Sequence, residues 1–438
     1  MRFGKEGVLA SGPQDLVPPA TTDVIVLSHG WKNDRVYADA LYAGILKNVR
    51  HAAGDSLRAG GRTWAAVGVY WPAFWFRPDL SLLPGDGTDG DGQAAGIQAD
   101  DLAVEDLRAY AAELAKDFGD RDADGFVRLV VQARAGGGRA DAMMDHLRGL
   151  LTKGPEAETD VRDEHVELLA APGSELHVSM RDGGTFSAAS FDDEADPSRP
   201  VGGAASFERV KEKFARLRSG GAAAVARLLN QATYYEMKAR AGRVGAGLAR
   251  ELDARLPEEV RLHLVGHSFG GRVVTSAAAS DGMPAAESLS LLQAAFSHNG
   301  LGTGFGDARR TVGSFRKVIE ERRVAGPILV THTHRDTAVG FFYALASKAS
   351  GTIASSYGLE RLLGGPTDPH GGMGANGTQS MLTDEAVAHV AGDMATLTRG
   401  KVNNVLSDAI VADHNDVANE GVGALVWQAV SAATENGS

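Results

Sequence analysis

Ser268 lies in the run Leu264-Val265-Gly266-His267-Ser268-Phe269-Gly270-Gly271, a Gly-x-Ser-x-Gly pentapeptide. An apolar stretch from Leu262 to Val265 precedes it, and small residues suited to a helix follow from Arg272. A serine hydroxyl is a poor nucleophile at neutral pH and becomes a good one only when a base takes its proton. A strand that stops at such a pentapeptide and a helix that starts from it leave the serine on a tight turn with its hydroxyl exposed. Gly266 and Gly270 let helix and strand approach where a Cβ would clash. The pentapeptide recurs by chance in many chains, so it is the strand before and the helix after that make Ser268 a candidate nucleophile.

A nucleophile of this kind needs a base and an acid that orients it. Gly326-Pro327 opens an apolar strand, Ile328 to His334, that ends at Arg335-Asp336. Asp336 is therefore predicted at the carboxyl end of a strand, on the sheet edge where catalytic groups collect. The bland alternative is a surface acid capping a helix that begins near Thr337. Asn404 to Val411 reads as the last strand, Ala412 to Val417 as a loop and Val422 to Ala432 as a closing helix, which puts His414 in the loop. In the order Ser268, Asp336, His414, the histidine would take the serine's proton and the aspartate would hold the imidazole tautomer. Asp408 is the next candidate acid. Among the other histidines, His267 and His263 read as packing residues. His332 and His334 share one strand face, either supporting Asp336 or simply buried. His389 falls on a stretch read as helical, and His370 in a glycine-rich loop. His298 closes the strand read over Ser288 to Phe296 and is a candidate substrate contact.

Elements at the front of the chain must supply the rest. The strand Asp23 to Ser28 ends in His29-Gly30-Trp31, followed by a helix over Arg35 to Ala53 in which Val36, Ala40, Leu41, Ile45, Leu46 and Val49 recur with helical period. The backbone N–H groups of Trp31 and Phe269 are the candidate pair for stabilising a developing oxyanion, each worth about 3 kcal/mol. An ordinary turn is the alternative for His-Gly. The strand Thr63 to Tyr70 runs into Trp71-Pro72-Ala73-Phe74-Trp75-Phe76. This aromatic run reads equally as a hydrophobic plug or as the wall of a pocket lined by His29, Trp71, Phe74, Trp75 and His298.

Together these positions resemble the α/β-hydrolase superfamily. More narrowly, they are similar to bacterial hydrolases that carry His-Gly-Trp, a Gly-His-Ser-Phe-Gly elbow and a His-Asn-Asp loop near the C-terminus. The resemblance spans roughly residues 20–76 and 240–436. It implies a mostly parallel central sheet flanked by helices, a Ser-His-Asp triad, an acyl-enzyme and no metal or organic cofactor. It implies ester hydrolysis of the carboxylesterase or lipase kind on a small-molecule or lipid ester. Thioesterases, amidases, peptidases and phospholipid-attacking effectors share the triad, and a non-catalytic binding protein on the same fold is the alternative from another class. The fold hosts many chemistries, so the substrate stays open. Residues 1–76 and 240–438 form the expected core. Residues 77–239 are a mainly helical insertion, expected to be a cap or lid; that insertion and the bulk of Trp31 depart from a simple esterase.

Composition narrows the classes. The chain has 438 residues, enough for an α/β core of about 250 residues and an insertion. A formal charge of −12 argues against nucleic acid and anionic membrane surfaces as partners. There is no cysteine, hence no disulfide or thiolate site. The first twenty residues lack a basic start and an apolar core, so a secretory signal is not expected. No apolar run approaches the ~20 residues that span a bilayer. A cytoplasmic protein is the expectation, with export lacking a cleaved signal left open, as is the oligomeric state. Asp120-Arg121-Asp122-Ala123-Asp124-Gly125 begins like a calcium loop, but Val131 stands where that loop needs a bidentate glutamate. A polar turn between helices is the preferred reading.

Overall fold

Val24 to Leu27 are apolar at every position, and a strand with no polar alternation belongs to a parallel sheet covered on both faces. The computed structural model, which describes residues 1–30, 35–73, 93–151, 170–181, 220–305, 311–336, 371–392 and 396–432, buries all six residues of that strand. The elements in chain order are β1 (Arg2–Phe3), β2 (Leu9–Ser11), β3 (Asp23–Ser28), α1 (Arg35–Ala53), β4 (Trp64–Val69), α2 (Gln93–Phe118), α3 (Ala123–Ala133), α4 (Gly138–Leu151), α5 (Gly173–Arg181) and α6 (Gly221–Arg255). Then follow β5 (Arg261–His267), α7 (Phe269–Ala279), β6 (Ala286–Leu292), β7 (Thr303–Phe305), β8 (Thr311–Val312), α8 (Arg316–Glu320), β9 (Ile328–His332), α9 (Met373–Asn376), β10 (Ala386–Val390), β11 (Val402–Leu406) and α10 (Glu420–Ala432).

Seven strands form one sheet in the order β10-β11-β9-β6-β5-β3-β4, every pair parallel. From β3 the chain moves outward to β4. It then returns to β5 on the other side of β3 and proceeds through β6 to β9. The order therefore reverses between β3 and β5, and in open parallel sheets the crevice beyond the carboxyl ends at such a reversal is where ligands bind. The register aligns those ends: Ser28 pairs with Gly266, His267 with Leu292, Leu292 with Thr331 and His332 with Leu406. The segments that follow these residues emerge along one edge.

One face of the sheet, carrying Ile25, Leu27, Val265, Leu292, Leu329 and Val405, packs on Leu41, Tyr42, Ile45 and Val49 of α1 and on Val422, Val426, Trp427 and Val430 of α10. Burial of each such aliphatic side chain contributes roughly 1.5–3 kcal/mol. On the other face α7 lies against β3, β5 and β6.

The chain divides into two compact units, Met1–Trp75 with Met237–Ala344 and Leu362–Ser438, and Phe76–Glu236 with Leu345–Arg361. In the second unit α2, α3, α4 and α5 pack in succession, burying Leu107, Leu114, Phe126, Val130, Met143, Leu147 and Leu176. Among the described residues no helix is long and apolar enough to cross a membrane.

Three assignments from sequence are corrected. The strand read over Ser288 to Phe296 is β6 (Ala286–Leu292), so His298 lies in the segment after the strand and does not close it. His389 lies on a strand, β10, where its Nε2 is 3.0 Å from Asn403 Oδ1 on neighbouring β11. A five-residue Ala/Val run has too little length to show a period, and pairing along β11 decides it. The last strand ends at Leu406 rather than Val411, because Ser407 turns the chain by accepting N–H bonds from Ile410 and Val411 at its carbonyl.

Candidate active site

At the end of β5 the backbone of Ser268 takes φ 57° and ψ −125°, a conformation that side chains other than glycine rarely adopt. Strain of this kind costs about 1–3 kcal/mol and persists only where its surroundings enforce it. Here the enforcement is visible. The Ser268 N–H donates to the Leu292 carbonyl at 3.0 Å, and its own carbonyl accepts from Gly271 at 2.9 Å and Ala295 at 3.1 Å. A Cβ on Gly266 would stand 2.3 Å from the Gly270 carbonyl oxygen, and one on Gly270 would stand 2.0 Å from that of Ser28. Both glycines are thus required by contact, since α7 starts almost touching β3 and β5.

Three side chains from three strand ends meet at this turn. His414 Nε2 is 2.9 Å from Ser268 Oγ, and His414 Nδ1 is 2.9 Å from Asp336 Oδ2. Because the carboxylate only accepts, Nδ1 carries the proton and the Nε2 lone pair receives the serine hydroxyl. Ser268 and Asp336 are each 1% exposed and His414 9%, so this hydrogen-bonded path lies in a low-dielectric environment. The loop holding His414 is braced by its own polar residues. The Asn415 N–H donates to Asp413 Oδ1, the Ala412 N–H to Asp416 Oδ2, and Asn419 Nδ2 to the Ile410 and Asp416 carbonyls. The acids flanking His414 therefore shape the loop.

Two glycines shape the site, one of them inside the His-Gly motif read from sequence. A Cβ on Gly30 would lie 2.4 Å from Ser268 Cβ and 2.9 Å from its Oγ, which puts the His29-Gly30 turn directly against the Ser268 side chain. A Cβ on Gly374 would lie 2.6 Å from Asp336 Oδ2. The short helix α9 forms the shelf under the acid, tied by Gly374 N–H to the Ala294 carbonyl. Gly30 was legible as part of His-Gly; nothing in the spacing of Gly371-Gly372-Met373-Gly374 pointed to Asp336.

His29 and Trp71 stand together beside the turn. Their rings stack with centroids 5.7 Å apart, and Trp71 Nε1 donates to the His29 carbonyl at 3.0 Å. The Trp71 N–H donates to His29 Nε2, so Nδ1 carries the hydrogen and donates to the Gly30 carbonyl at 2.9 Å. Burial pushes His29 down to about 4, against the Gly30 hydrogen bond, and the ring is neutral near pH 7. Both ring nitrogens are thus engaged in holding the turn. The His29 N–H donates in turn to the Tyr42 hydroxyl at 2.8 Å. Phe269, the first residue of α7, follows Ser268 directly. Trp31, Phe74 and Trp75 lie outside the described residues, as do the Thr337 helix start and His370.

The remaining candidates lie elsewhere. Asp408 accepts from Thr333 Oγ1 at 2.7 Å and from the His334 N–H at 3.0 Å, with His334 Nδ1 at 2.9 Å. Burial opposes its ionisation, yet these bonds outweigh burial and hold the carboxyl below the usual carboxylate range. Its partner is His334, whereas Asp336 takes His414. His298 is buried, with Nδ1 3.3 Å from Asn376 Nδ2 and its ring against Gly371. His263 bonds Ser288 and Asp23 inside the sheet. In the second unit, Asp122 caps α3 by accepting from the Gly125 N–H, and Asp120 accepts from the Asp122 N–H and meets His146 Nε2 at 2.7 Å. The acid-rich loop there serves as a helix start.

The assembled groups can remove a proton from a serine hydroxyl while that oxygen attacks an electrophilic carbon, and can return the proton to a leaving group. Comparison with family models, with curated proteins and with solved structures finds no match to this chain.

Proposed function

We propose that this protein is a serine hydrolase of the α/β-hydrolase type that cleaves a carboxylic ester through an acyl-enzyme. One observation carries the reading: an uninterrupted hydrogen-bonded path from Ser268 Oγ through both His414 nitrogens to Asp336, on a strained turn where the sheet order reverses. In the first half-reaction His414 Nε2 takes the hydroxyl proton as Oγ adds to the ester carbonyl. The imidazolium, stabilised by Asp336, then protonates the departing alkoxide. In the second half-reaction a water molecule loses its proton to the same nitrogen and attacks the acyl carbon; the bond to Oγ then breaks, His414 returns the proton to Oγ, and the acid is freed.

The tetrahedral intermediate carries its negative charge on the former carbonyl oxygen. The N-terminal end of α7, beginning at Phe269 beside Ser268, presents the positive end of a helix dipole there. The Phe269 N–H and the N–H of Trp31, which lies outside the described residues, are the proposed oxyanion donors.

A series of p-nitrophenyl esters of increasing acyl length, with Ser268→Ala as control, tests the reading. Turnover that the substitution abolishes supports it. A folded protein inert toward esters, thioesters and amides alike would favour a binding protein that keeps the fold.

A further inference from the structure

The residue before the nucleophile has an engagement that its packing position did not suggest. His267, the last residue of β5, is 3% exposed, and its Nε2 lies 2.8 Å from the main-chain carbonyl oxygen of His414. A carbonyl only accepts, so Nε2 carries the hydrogen and Nδ1 is bare; Nδ1 is buried and has no hydrogen-bond partner among the described residues. The two imidazole rings are tilted against each other, centroids 5.1 Å apart and inclined by 40°.

Among the described residues, the other backbone hydrogen bonds of 412–417 stay within 412–419: Ala412 to Asp416, Asn415 to Asp413, Asp416 to Asp413, Val417 to Asn415 and Asn419 to Asp416. They shape the loop but do not root its main chain to the sheet. The His267 bond does. It leaves from the residue adjacent to Ser268, so two neighbouring residues of one strained turn hold the two ends of the reacting pair: Ser268 supplies the nucleophile, and His267 grips the backbone that carries the base.

Resting on the hydrolase reading above, we infer that His267 is a positioning residue, which fixes the distance between His414 Nε2 and Ser268 Oγ by clamping the His414 carbonyl. It must also remain uncharged. Burial, reinforced by the nearby His414, pushes His267 down to about 3, so the ring presents no cation when His414 becomes imidazolium. His29 is the other titratable group acting on it.

The test compares His267→Leu, which keeps bulk and loses the donor, with His267→Gln, whose amide can still donate. The readouts are the rate of fluorophosphonate labelling at Ser268, its pH profile and thermal melting. A displacement of the base approaching 1 Å costs on the order of 100-fold. Labelling and kcat of the leucine variant should fall 10- to 100-fold, KM should change little, and the glutamine variant should recover most of the loss. A folded leucine variant that labels at the parent's rate with the parent's pH profile would overturn the inference. Should the leucine variant not fold, long-range ¹H–¹⁵N spectra of the parent decide. An Nε2–H ring that stays neutral down to pH 5 supports the clamp, and an Nδ1–H ring or one titrating near 6 refutes it. Failure of the parent itself to label would instead sink the hydrolase reading, a different result from either.

Discussion

Two Ser-His-Asp trios flank strand β5, one beyond each end of its apolar centre. At the carboxyl end stand Ser268, His414 and Asp336, joined by contacts of 2.9 and 2.9 Å. Toward the amino end stand Ser288, His263 and Asp23, with His263 Nδ1 2.9 Å from Ser288 Oγ and Nε2 3.4 Å from Asp23 Oδ1. All six residues are buried. Residue types and distances alone barely separate the two, and the difference lies in what surrounds each acid and serine. Asp23 is gripped by Arg261 through Nε at 2.7 Å and Nη2 at 2.9 Å, by Arg62 Nε at 3.0 Å, and by Thr22. Its charge is already matched by two guanidinium groups, so it has little left to stabilise an imidazolium. Ser288 sits mid-strand in paired β6, with no turn to expose its oxygen. Ser268 precedes α7 in a strained conformation at the end of β5, where the strand order reverses. A catalytic trio on this reading is one whose serine stands on a strained turn at a strand end, outside the ladder, rather than within a paired strand.

The largest expected difference is at the serines. Ser268→Ala should lower ester turnover by 10⁴-fold or more, on the order found when a serine nucleophile is removed. Ser288→Ala should leave it within about twofold; steady-state rates on one ester read both. At the acids the effects should separate by kind. Asp336→Asn should lower kcat by about 10³–10⁴-fold through loss of the imidazole tautomer. Asp23→Asn should leave the rate per folded molecule unchanged and cost about 1–3 kcal/mol in stability by removing the buried carboxylate that Arg62, Arg261 and His263 bond, read from the denaturant midpoint.

Gly30→Ala probes the close approach specific to the carboxyl end. Its methyl, 2.4 Å from Ser268 Cβ, must displace the serine or the turn, and kcat/KM should fall by roughly 100-fold with Asp23-linked stability intact.

The smallest effect is a pH dependence. His29, His267 and His332 are pushed by burial to about 4, 3 and 4 from an ordinary 6.5, so the unfolded chain binds protons that the folded chain refuses. Their contribution is fully present above pH 6.5 and is lost as pH falls through the folded values, between about 6.5 and 3. Tm should therefore decline over that window. Below pH 4 the decline should continue as Asp23 and Asp408, both held under the usual carboxylate range despite burial, become protonated in the unfolded chain. A Tm flat from pH 7 to 4 would contradict the neutral burial of these histidines.

Much of the positioning was legible because it is local. The strand-turn-helix around Ser268, the strand ending before Asp336 and the loop with His414 each follow from short runs, and α1 spans Arg35–Ala53 as its period predicts. What was not legible depends on contacts between distant segments. Gly374 lies under Asp336 only because α9 folds back onto the end of β6. His267 looks like an inward strand residue until the loop arriving 147 positions later supplies the carbonyl it grips. The trio at Asp23 escaped notice for the same reason, since Asp23 and His263 are 240 positions apart.

The central claim is that the trio at the carboxyl end activates Ser268 and the one at the amino end activates nothing. Fluorophosphonate labelling of the native protein, with intact-mass analysis and peptide mapping, tests it most directly. The account predicts one adduct per chain, on Ser268, lost in Ser268→Ala and retained in Ser288→Ala. A folded protein with no adduct, or with its adduct on Ser288 or any other serine, would contradict it.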